Sequence, residues 1–329
     1  MKRIIVCGFG FMGQNHTANI FRHPDLELAA VVDSRPREEI KPIKGNVATA
    51  EIDWNLLNGI PFYTTLSEAM EQCPADAVLI ASPTRFHFPL AMDAITAGKH
   101  VFVEKPLCFS LDEGTALLQA IQGKNLVFQV GHCVRFMPAY RTLRNVFLEQ
   151  TYGKLRFLKF QRMTGTPNWG AWKNLDVSLT SVSGPLFDLN IHDIDYALSL
   201  QGLPTRMSAA KTASFDSIFH SEWSYPDCTI QIEGGFMLPS TLPFRSAFFA
   251  VFDHAVLEYD SRTGNSISVS SEKDCSNTVC SAPHSSYYEE LDEFASAMIY
   301  GTPVQCAPQD GFNAVKTCYE LKALLERNA

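Results

Sequence analysis

The run Ile4-Ile5-Val6-Cys7-Gly8-Phe9-Gly10-Phe11-Met12-Gly13 decides the fold of this chain. Its second part is a G-x-G-x-x-G pattern that follows an apolar segment, typical of a buried strand, and precedes a predicted helix, Asn15 to Arg22. A tight glycine turn between strand and helix lets main-chain amides approach a pyrophosphate, whose negative charge then faces the helix N-terminus. Glycines also serve ordinary turns, so the pattern gains its weight from its position. It predicts a dinucleotide site.

An acidic residue at the expected distance supports this interpretation. The next apolar segment, Leu28 to Val32, predicts a second strand, and Asp33 ends it, 20 residues beyond Gly13. A carboxylate in this place binds the adenosine ribose hydroxyls in dinucleotide-binding domains. Asp33 would repel a 2′-phosphate and so favours NAD, whereas Arg35 or Arg37 would bind that phosphate and admit NADP. NAD is the preferred cofactor, with NADP as the alternative.

Length and composition limit the class of protein. At 329 residues the chain suits two domains, and its hydrophobic content of 46% gives each a sizeable core. A net charge of −8 disfavours nucleic acid or an anionic membrane as the partner. The nine cysteines form no C-x-x-C pair, which indicates reduced thiols. Polar residues and glycines interrupt the apolar start too early for a signal peptide, and no apolar run is long enough to span a membrane. We therefore expect a cytoplasmic protein.

Strand and helix signals alternate over residues 1–130, the pattern of a doubly wound parallel sheet, the α/β Rossmann arrangement. Ligands of such sheets bind beyond the carboxyl ends of the strands. Four strand-end segments therefore converge on one crevice: the glycine turn, Asp33, Ser82–His87 and Glu104–Pro106. We assign 1–130 to an NAD(P)-binding domain.

The remaining residues, 131–329, show a different pattern. Strand-like runs begin near Gly153 and continue after Leu200 without long helices between them, from Met207–Phe215 and Ser221–Trp223 to Ser266–Ser270. Such runs predict an α+β domain with a large, mostly antiparallel sheet. We assign it substrate binding, catalysis and oligomerisation, with two late helices near the C-terminus.

The helix predicted for Pro185–Leu200 holds the candidate chemistry of this domain. Asp188, His192 and Asp195 fall at i, i+4 and i+7, so their side chains would stack along one face. A carboxylate one turn before an imidazole can orient the ring and raise its basicity. A helix with an ordinary polar face, in which Asp188 favours the positive N-terminal end, explains the same residues. On these residues alone, the structural interpretation is preferred.

A longer motif narrows the family. The segment Gly98-Lys99-His100-Val101-Phe102-Val103-Glu104-Lys105-Pro106, with Ser82-Pro83-x-x-x-His87 upstream, resembles the Gfo/Idh/MocA oxidoreductases, relatives of glucose–fructose oxidoreductase and inositol dehydrogenase. Gly131 to Tyr140 resembles the family's link between its two domains, and Gly184 to Asp195 resembles its second catalytic motif. One departure is Ser183-Gly184-Pro185 where the family often has Gly-Gly, although proline is tolerated in a first helical turn.

The resemblance implies an NAD(P)-dependent dehydrogenase acting on a secondary alcohol of a sugar, cyclitol or sugar derivative. It makes Lys105 the catalytic acid/base, a role that partial desolvation would assist by lowering its pKa. Most lysines are solvated surface charges, but Lys105 closes a buried strand at the cofactor edge. With the match, His192 binds the reacting hydroxyl and relays its proton, and Asp188 binds a neighbouring hydroxyl or positions the lysine. Family members tend to have a cis bond before Pro106.

The predicted sites follow from these assignments. The cofactor-binding residues are Gly8, Gly10, Phe11, Met12, Gly13, Asp33, Ser34, Arg35, Ser82, Pro83, His87, Glu104 and Lys105. The substrate-binding residues are Lys105, Arg135, Asn168, Trp169, Asp188 and His192. Asn168 and Trp169 either form a substrate wall or anchor a loop, and Arg135 either contacts substrate or braces the domain junction. Asp188, His192 and His132 would suit a metal, but the family chemistry needs none.

Two other functions fit the same fold. Some relatives of the family sense a dinucleotide without catalysis, and a sugar-modifying enzyme can recycle bound NAD. The Lys105, Asp188 and His192 set favours the dehydrogenase, because a sensor needs no acid/base groups. The resemblance also implies a homodimer or homotetramer formed through the second sheet.

Overall fold

The computed structural model describes residues 1–43, 49–166, 184–212 and 215–327 of the chain. They fold into two units, one built from Met1–Cys133 with His284–Phe312 and the other from Val134–Pro283 with Asn313–Ala329. The chain thus leaves the first unit after Cys133 and contributes one more segment to it near the C-terminus.

The apolar runs of the first unit form a six-stranded parallel sheet. Its elements in chain order are β1 (Lys2–Cys7), α1 (Phe11–Arg22), β2 (Leu26–Val32), β3 (Phe62–Tyr63), α2 (Leu66–Gln72), β4 (Ala77–Ile80), α3 (His87–Thr96), β5 (His100–Glu104), α4 (Leu111–Ile121) and β6 (Phe128–Gly131). The strand order is β3-β2-β1-β4-β5-β6, and every pair is parallel. The predicted doubly wound sheet is confirmed. β4 is buried along its whole length, as its continuous apolar run requires when both faces of a sheet are covered.

The second unit is an α+β assembly around an eight-stranded sheet. It contains α5 (Pro138–Glu149), β7 (Leu155–Gly165), a π-helical turn (Leu186–Asn190), α6 (Ile191–Gln201), β8 (Arg206–Thr212), β9 (Phe215–Ser224), β10 (Thr229–Leu238), β11 (Arg245–Phe252), β12 (Ala255–Asp260), β13 (Ser266–Ser271) and β14 (Cys275–Val279). The strand order is β14-β13-β12-β11-β7-β10-β9-β8. Of these neighbours only β7 and β10 run parallel. The predicted mostly antiparallel sheet is confirmed.

Several elements of the second unit differ from the sequence prediction. β14 was not predicted, because all of its side chains are exposed and it lacks an apolar alternation. β9 begins at Phe215, whereas the pattern ended one strand there and began another at Ser221. Helix α5 was not predicted, and it begins inside the segment Gly131 to Tyr140 that resembles a link between domains.

The last two helices are α7 (Ser286–Tyr300) and α8 (Pro308–Arg327). α7 belongs to the first unit, where Leu291, Phe294 and Met298 join the hydrophobic core formed with β1, β2 and β4. The sequence pattern placed a single boundary at residue 130, whereas in the structure His284–Phe312 also belongs to the first unit. An amphipathic helix stabilises whichever sheet covers its apolar stripe, and sequence order does not specify which sheet that is.

Candidate active site

The glycine turn packs closely against its surroundings on two sides and is open on a third. Gly8 has a φ of +88°, and a Cβ there would lie 2.6 Å from the main chain of Ser82. A Cβ on Gly13 would lie 1.9 Å from the carbonyl oxygen of Gly8. A Cβ on Gly10, the N-cap residue of α1, would meet no atom within 4 Å. The turn therefore places bare main chain and a helix N-terminus at an open position.

Asp33 follows β2 and is tied to the glycine turn. Its Oδ2 accepts a hydrogen bond from the main-chain N–H of Phe9 at 2.7 Å. Its carboxylate also accepts hydrogen bonds from Arg35, at 2.8 Å from Nε and at 2.9 Å from Nη2. Burial acts to raise the pKa of Asp33, but the hydrogen bonds from Arg35 and Phe9 outweigh it and lower that pKa. Asp33 is therefore a carboxylate. Arg37, the other candidate cation, donates to the carbonyl of Leu57 at 3.0 Å.

His87 joins the loops that follow β4 and β5. Its side chain is buried, with Nδ1 2.7 Å from the carbonyl oxygen of Pro106 and Nε2 2.8 Å from that of Ser82. Burial lowers the pKa of His87, although the two carbonyl contacts act in the opposite direction. Each ring nitrogen lies within hydrogen-bond distance of a main-chain carbonyl oxygen, so His87 links two loops at the carboxyl edge of the sheet. Pro83 lies in the first of these loops.

Glu104 and Lys105 end β5 at the same edge. The peptide bond between Lys105 and Pro106 is cis. Lys105 is half-buried, while the Glu104 side chain is almost completely buried. The Glu104 Oε1 lies 2.7 Å from Nε2 of His16, and its Oε2 accepts the main-chain N–H of Lys105 at 3.2 Å. Burial acts to raise the pKa of Glu104, but His16, Lys105 and His87 together hold it below its usual value.

In the second unit, Asp188 and His192 lie at the start of a helix with an irregular first turn. Asp188 sits inside the π-helical turn and His192 is the second residue of α6. Both are half-buried, whereas Asp193 and Asp195 are buried. His192 and Asp195 lie three residues apart in α6, whereas Asp188 lies in the π-helical turn before it, so the predicted i, i+4, i+7 spacing on one continuous α-helix does not hold for Asp188. A π turn holds more residues than an α turn, which changes the register between the turn and the helix.

Two buried ion pairs anchor α6 inside its unit. The carboxylate of Asp193 accepts hydrogen bonds from Nε and Nη2 of Arg162, both at 2.8 Å. The carboxylate of Asp195 accepts hydrogen bonds from Arg135, at 2.7 Å from Nε and at 2.6 Å from Nη2. All four side chains are at most 4% exposed. Arg135 is thus held by α6 within its own unit, and its two expected roles stay predictions. Sequence reasoning identified neither ion pair.

The structure thus groups the predicted residues within each unit. In the first unit, the loops holding the glycine turn, Asp33, Ser82–His87 and Lys105 meet at the carboxyl edge of the sheet. In the second, Asp188 and His192 occupy one helix start. Asn168, Trp169 and Ser183 lie outside the described residues. Among the described residues, no helix has both the length and the apolar character needed to cross a membrane.

Sequence reasoning did not single out two buried titratable residues of the first unit, His16 and Glu290. His16 is fully buried, and Gln14 and Asn15 before it are almost so. Three consecutive polar residues directly after the glycine motif, in a helix packed on a sheet, were the available signal. Glu290 gave no signal, because it lies in α7, far along the chain.

Comparison with known proteins agrees with these features. Residues 2–132 match the model of an oxidoreductase family with an NAD-binding Rossmann fold. An uncharacterised oxidoreductase of Bacillus subtilis (strain 168) is 27% identical over 339 residues, which cover 95% of this chain and 92% of that protein. The scyllo-inositol 2-dehydrogenase (NAD(+)) of the same strain is 31% identical over 205 residues, covering 61% of this chain and 54% of that enzyme. The second alignment spans about half of the dehydrogenase.

A solved structure extends the likeness to the whole fold. The UDP-N-acetylglucosamine 3-dehydrogenase from Acidithiobacillus ferrooxidans has a TM-score of 0.81 and 21% identity to this chain. The match covers 99% of this chain and 98% of the other. The two proteins therefore share the arrangement of a parallel sheet and a large, mostly antiparallel sheet.

Proposed function

We propose that this chain, whose residues 2–132 match the model of the Gfo/Idh/MocA oxidoreductase family, is an NAD(P)-dependent dehydrogenase of sugar or cyclitol alcohols. The substrate would be a secondary alcohol of a sugar, a cyclitol or a sugar derivative. Curated relatives include an inositol dehydrogenase, which supports this substrate class.

The residues of the glycine turn fit a dinucleotide. Gly10 leaves open space beside the N-terminus of α1, where a pyrophosphate gains main-chain donors and a favourable helix dipole. Phe11 and Met12 would supply amides there, and Asp33 with Ser34 would face the ribose. Ser82, Pro83, His87 and Glu104 shape the neighbouring loops. When bound, the nicotinamide supplies the hydride-accepting carbon for the oxidation.

The proposed chemistry assigns one proton to the protein. In that oxidation Lys105 would accept the hydroxyl proton on its side-chain nitrogen, the cofactor would supply the hydride acceptor, and the substrate alcohol would become a carbonyl. His192 would hydrogen-bond the reacting oxygen and relay the proton, and Asp188 would bind a neighbouring hydroxyl. The single observation that supports the proposal is the position of Lys105. It is half-buried and directly follows β5, in a loop that the side chain of His87 links to Ser82.

A substrate panel tests this function. Purified protein is incubated with NAD or NADP and individual sugars, cyclitols and sugar derivatives, and the absorbance of reduced nicotinamide is followed. Accumulation of reduced cofactor with one class of alcohol is the expected result. Product without such accumulation would instead indicate an enzyme that recycles bound NAD. Tight cofactor binding without turnover of any compound would favour the dinucleotide sensor.

We propose NAD as the preferred cofactor because Asp33 is a carboxylate and pairs with Arg35. In Asp33→Asn an amide oxygen can still accept the Phe9 N–H, but the charge that repels a 2′-phosphate is gone. The ratio of NADP affinity to NAD affinity should rise about tenfold, a change of about 1.4 kcal/mol. Titration of both dinucleotides measures it. Asp25→Asn, at an exposed position before β2, is the control, and an unchanged ratio in Asp33→Asn would contradict the assignment.

We also propose that the chain forms a homodimer or homotetramer through its second sheet. A concavity of about 780 Å³ lies on this sheet, lined by residues that include Lys159, Phe249 and Glu258. Phe249 is 37% exposed and contacts the ring of Phe157 edge-on, an aromatic pair of the kind enriched at interfaces.

Light scattering after size exclusion tests the assembly. Phe249→Lys should shift the molar mass toward the monomer, because a buried unpaired charge opposes association. Leu148→Lys places the same charge at an exposed position on α5 and should leave the mass unchanged. An unshifted mass in Phe249→Lys would refute this interface.

A further inference from the structure

A cluster of three titratable side chains lies behind the Lys105 loop within the first unit. His16 comes from α1, Glu104 from the end of β5 and Glu290 from α7, and one polar atom of each lies within 4.8 Å of the others. His16 and Glu290 are completely buried, and Glu104 is 7% exposed. Two buried carboxyl groups therefore lie close to a single imidazole.

The two carboxyl groups have different surroundings. Both oxygens of Glu104 are engaged, one by Nε2 of His16 and the other by the main-chain N–H of Lys105. Neither carboxyl oxygen of Glu290 has a hydrogen-bond partner in the described part of the chain. On its main chain, the carbonyl of Glu290 accepts a hydrogen bond from Nε2 of Gln129 at 2.9 Å.

These surroundings decide where the negative charge resides. A buried carboxylate without donors is so costly that such a group takes up a proton instead. Two carboxylates this close cannot both ionise cheaply. The groups facing Glu290 are Glu104 from β5, His16 from α1 and, on α7 itself, Tyr287 and Glu293. Burial, followed by the charges of Glu104 and Glu293, raises the pKa of Glu290 well above its usual value.

We propose that Glu290 is held as a neutral carboxylic acid so that the cluster keeps one negative charge, on Glu104, and that Glu290 and His16 are positioning residues for Lys105. The second half of this inference rests on the catalytic role proposed above for Lys105. An ionised Glu290 would repel the Glu104 carboxylate and so weaken its hydrogen bond with the Lys105 N–H. His16 opposes such a shift by binding the other oxygen of Glu104.

The protonation is tested by stability against pH, without any turnover. In the unfolded chain Glu290 ionises above about pH 4.3, while in the folded chain it stays protonated, so its contribution to stability is lost as pH rises. Glutamine mimics the neutral acid and does not titrate. The melting temperature of Glu290→Gln relative to wild type should therefore rise as the pH is increased from about 5 across the neutral range.

The neighbouring Glu289→Gln is the matched control, since Glu289 is part-exposed on the same helix turn. Its difference from wild type should be flat across this range. A flat or falling difference in Glu290→Gln would overturn the proposal. So would a divalent metal that wild type retains through purification and Glu290→Gln loses, because a ligand carboxylate is ionised.

The positioning role is tested with His16. His16→Leu removes the donor to Glu104 and should lower kcat about tenfold, while the Kd for the dinucleotide stays near wild type, because a displaced catalytic group slows the reaction itself. His16→Gln keeps an N–H donor and should recover most of the rate. Equal rates in the two variants would overturn the positioning role. If Lys105 proves dispensable but the pH test succeeds, the proposed function fails while the neutral Glu290 stands.

Discussion

Lys105→Ala is expected to lower kcat by about 10²–10⁴-fold, the usual contribution of a positioned general acid or base. The dinucleotide should still bind with a Kd near that of wild type, because the glycine turn and Asp33 lie on other loops of the first unit. Turnover of the best alcohol from the substrate panel gives kcat, and a fluorescence titration with the dinucleotide gives Kd. A split between the two measurements is what distinguishes a catalytic lysine from a cofactor ligand.

Two further lysine variants sharpen this result. Lys105→Arg keeps a positive charge, but a guanidinium does not deprotonate in proteins and so cannot accept the hydroxyl proton. It should be nearly as inactive as Lys105→Ala. Lys99, whose Nζ donates to the carbonyl of Ala75 at 2.8 Å, supplies the control, and Lys99→Ala should turn over normally. Near-normal turnover in Lys105→Ala would remove Lys105 from the mechanism.

Asp193→Ala is expected to reduce the free energy of unfolding by about 3–5 kcal/mol, because it leaves the Arg162 guanidinium buried without its carboxylate. The pair is bidentate, and its aspartate lies in α6. Urea unfolding followed by circular dichroism measures the loss. Because Asp193 immediately follows His192, the variant should also lower kcat even under conditions where it remains folded.

A double variant separates the lost pair from lost packing. Arg162→Met combined with Asp193→Leu removes both charges and should recover much of the stability, since apolar residues often replace a buried pair without loss. Asp227, in an exposed pair with Lys154, offers the contrasting surface case, and Asp227→Ala should change stability little. If Asp193→Ala were as stable as Asp227→Ala, the Arg162 pair would not anchor the helix.

The cofactor half of the chain was largely predictable because its signals are local. Gly8 to Gly13 and Asp33 lie within one strand–helix–strand unit, where spacing along the chain fixes spacing in the fold. The run Ala77 to Ile80 is apolar throughout, which marks a central strand. Ser110 and Glu113, three residues apart, match the local pattern of a capping box, and the structure forms both of its hydrogen bonds.

The features that sequence reasoning missed depend on partners far apart in the chain. Arg162 and Asp193 are 31 residues apart, and His16 and Glu104 are 88 apart, so no periodicity connects them. β14 was not predicted for another reason: it is an exposed edge strand, and such a strand needs no apolar side chains. The π-helical turn around Asp188 also has no simple sequence signal, because five ordinary helix-compatible residues form it.

The return of α7 to the first unit affects how the protein is made. Leu291, Phe294 and Met298 complete a core whose other members, such as Ile4 and Val6, leave the ribosome almost three hundred residues earlier. The cofactor domain therefore stays unfinished until nearly the whole chain has been synthesised, with part of its apolar surface uncovered meanwhile. A gene fragment ending at Cys133 would encode every strand of the parallel sheet but not this helix. Expression of the cofactor domain alone should yield an aggregation-prone product unless α7 is joined to it.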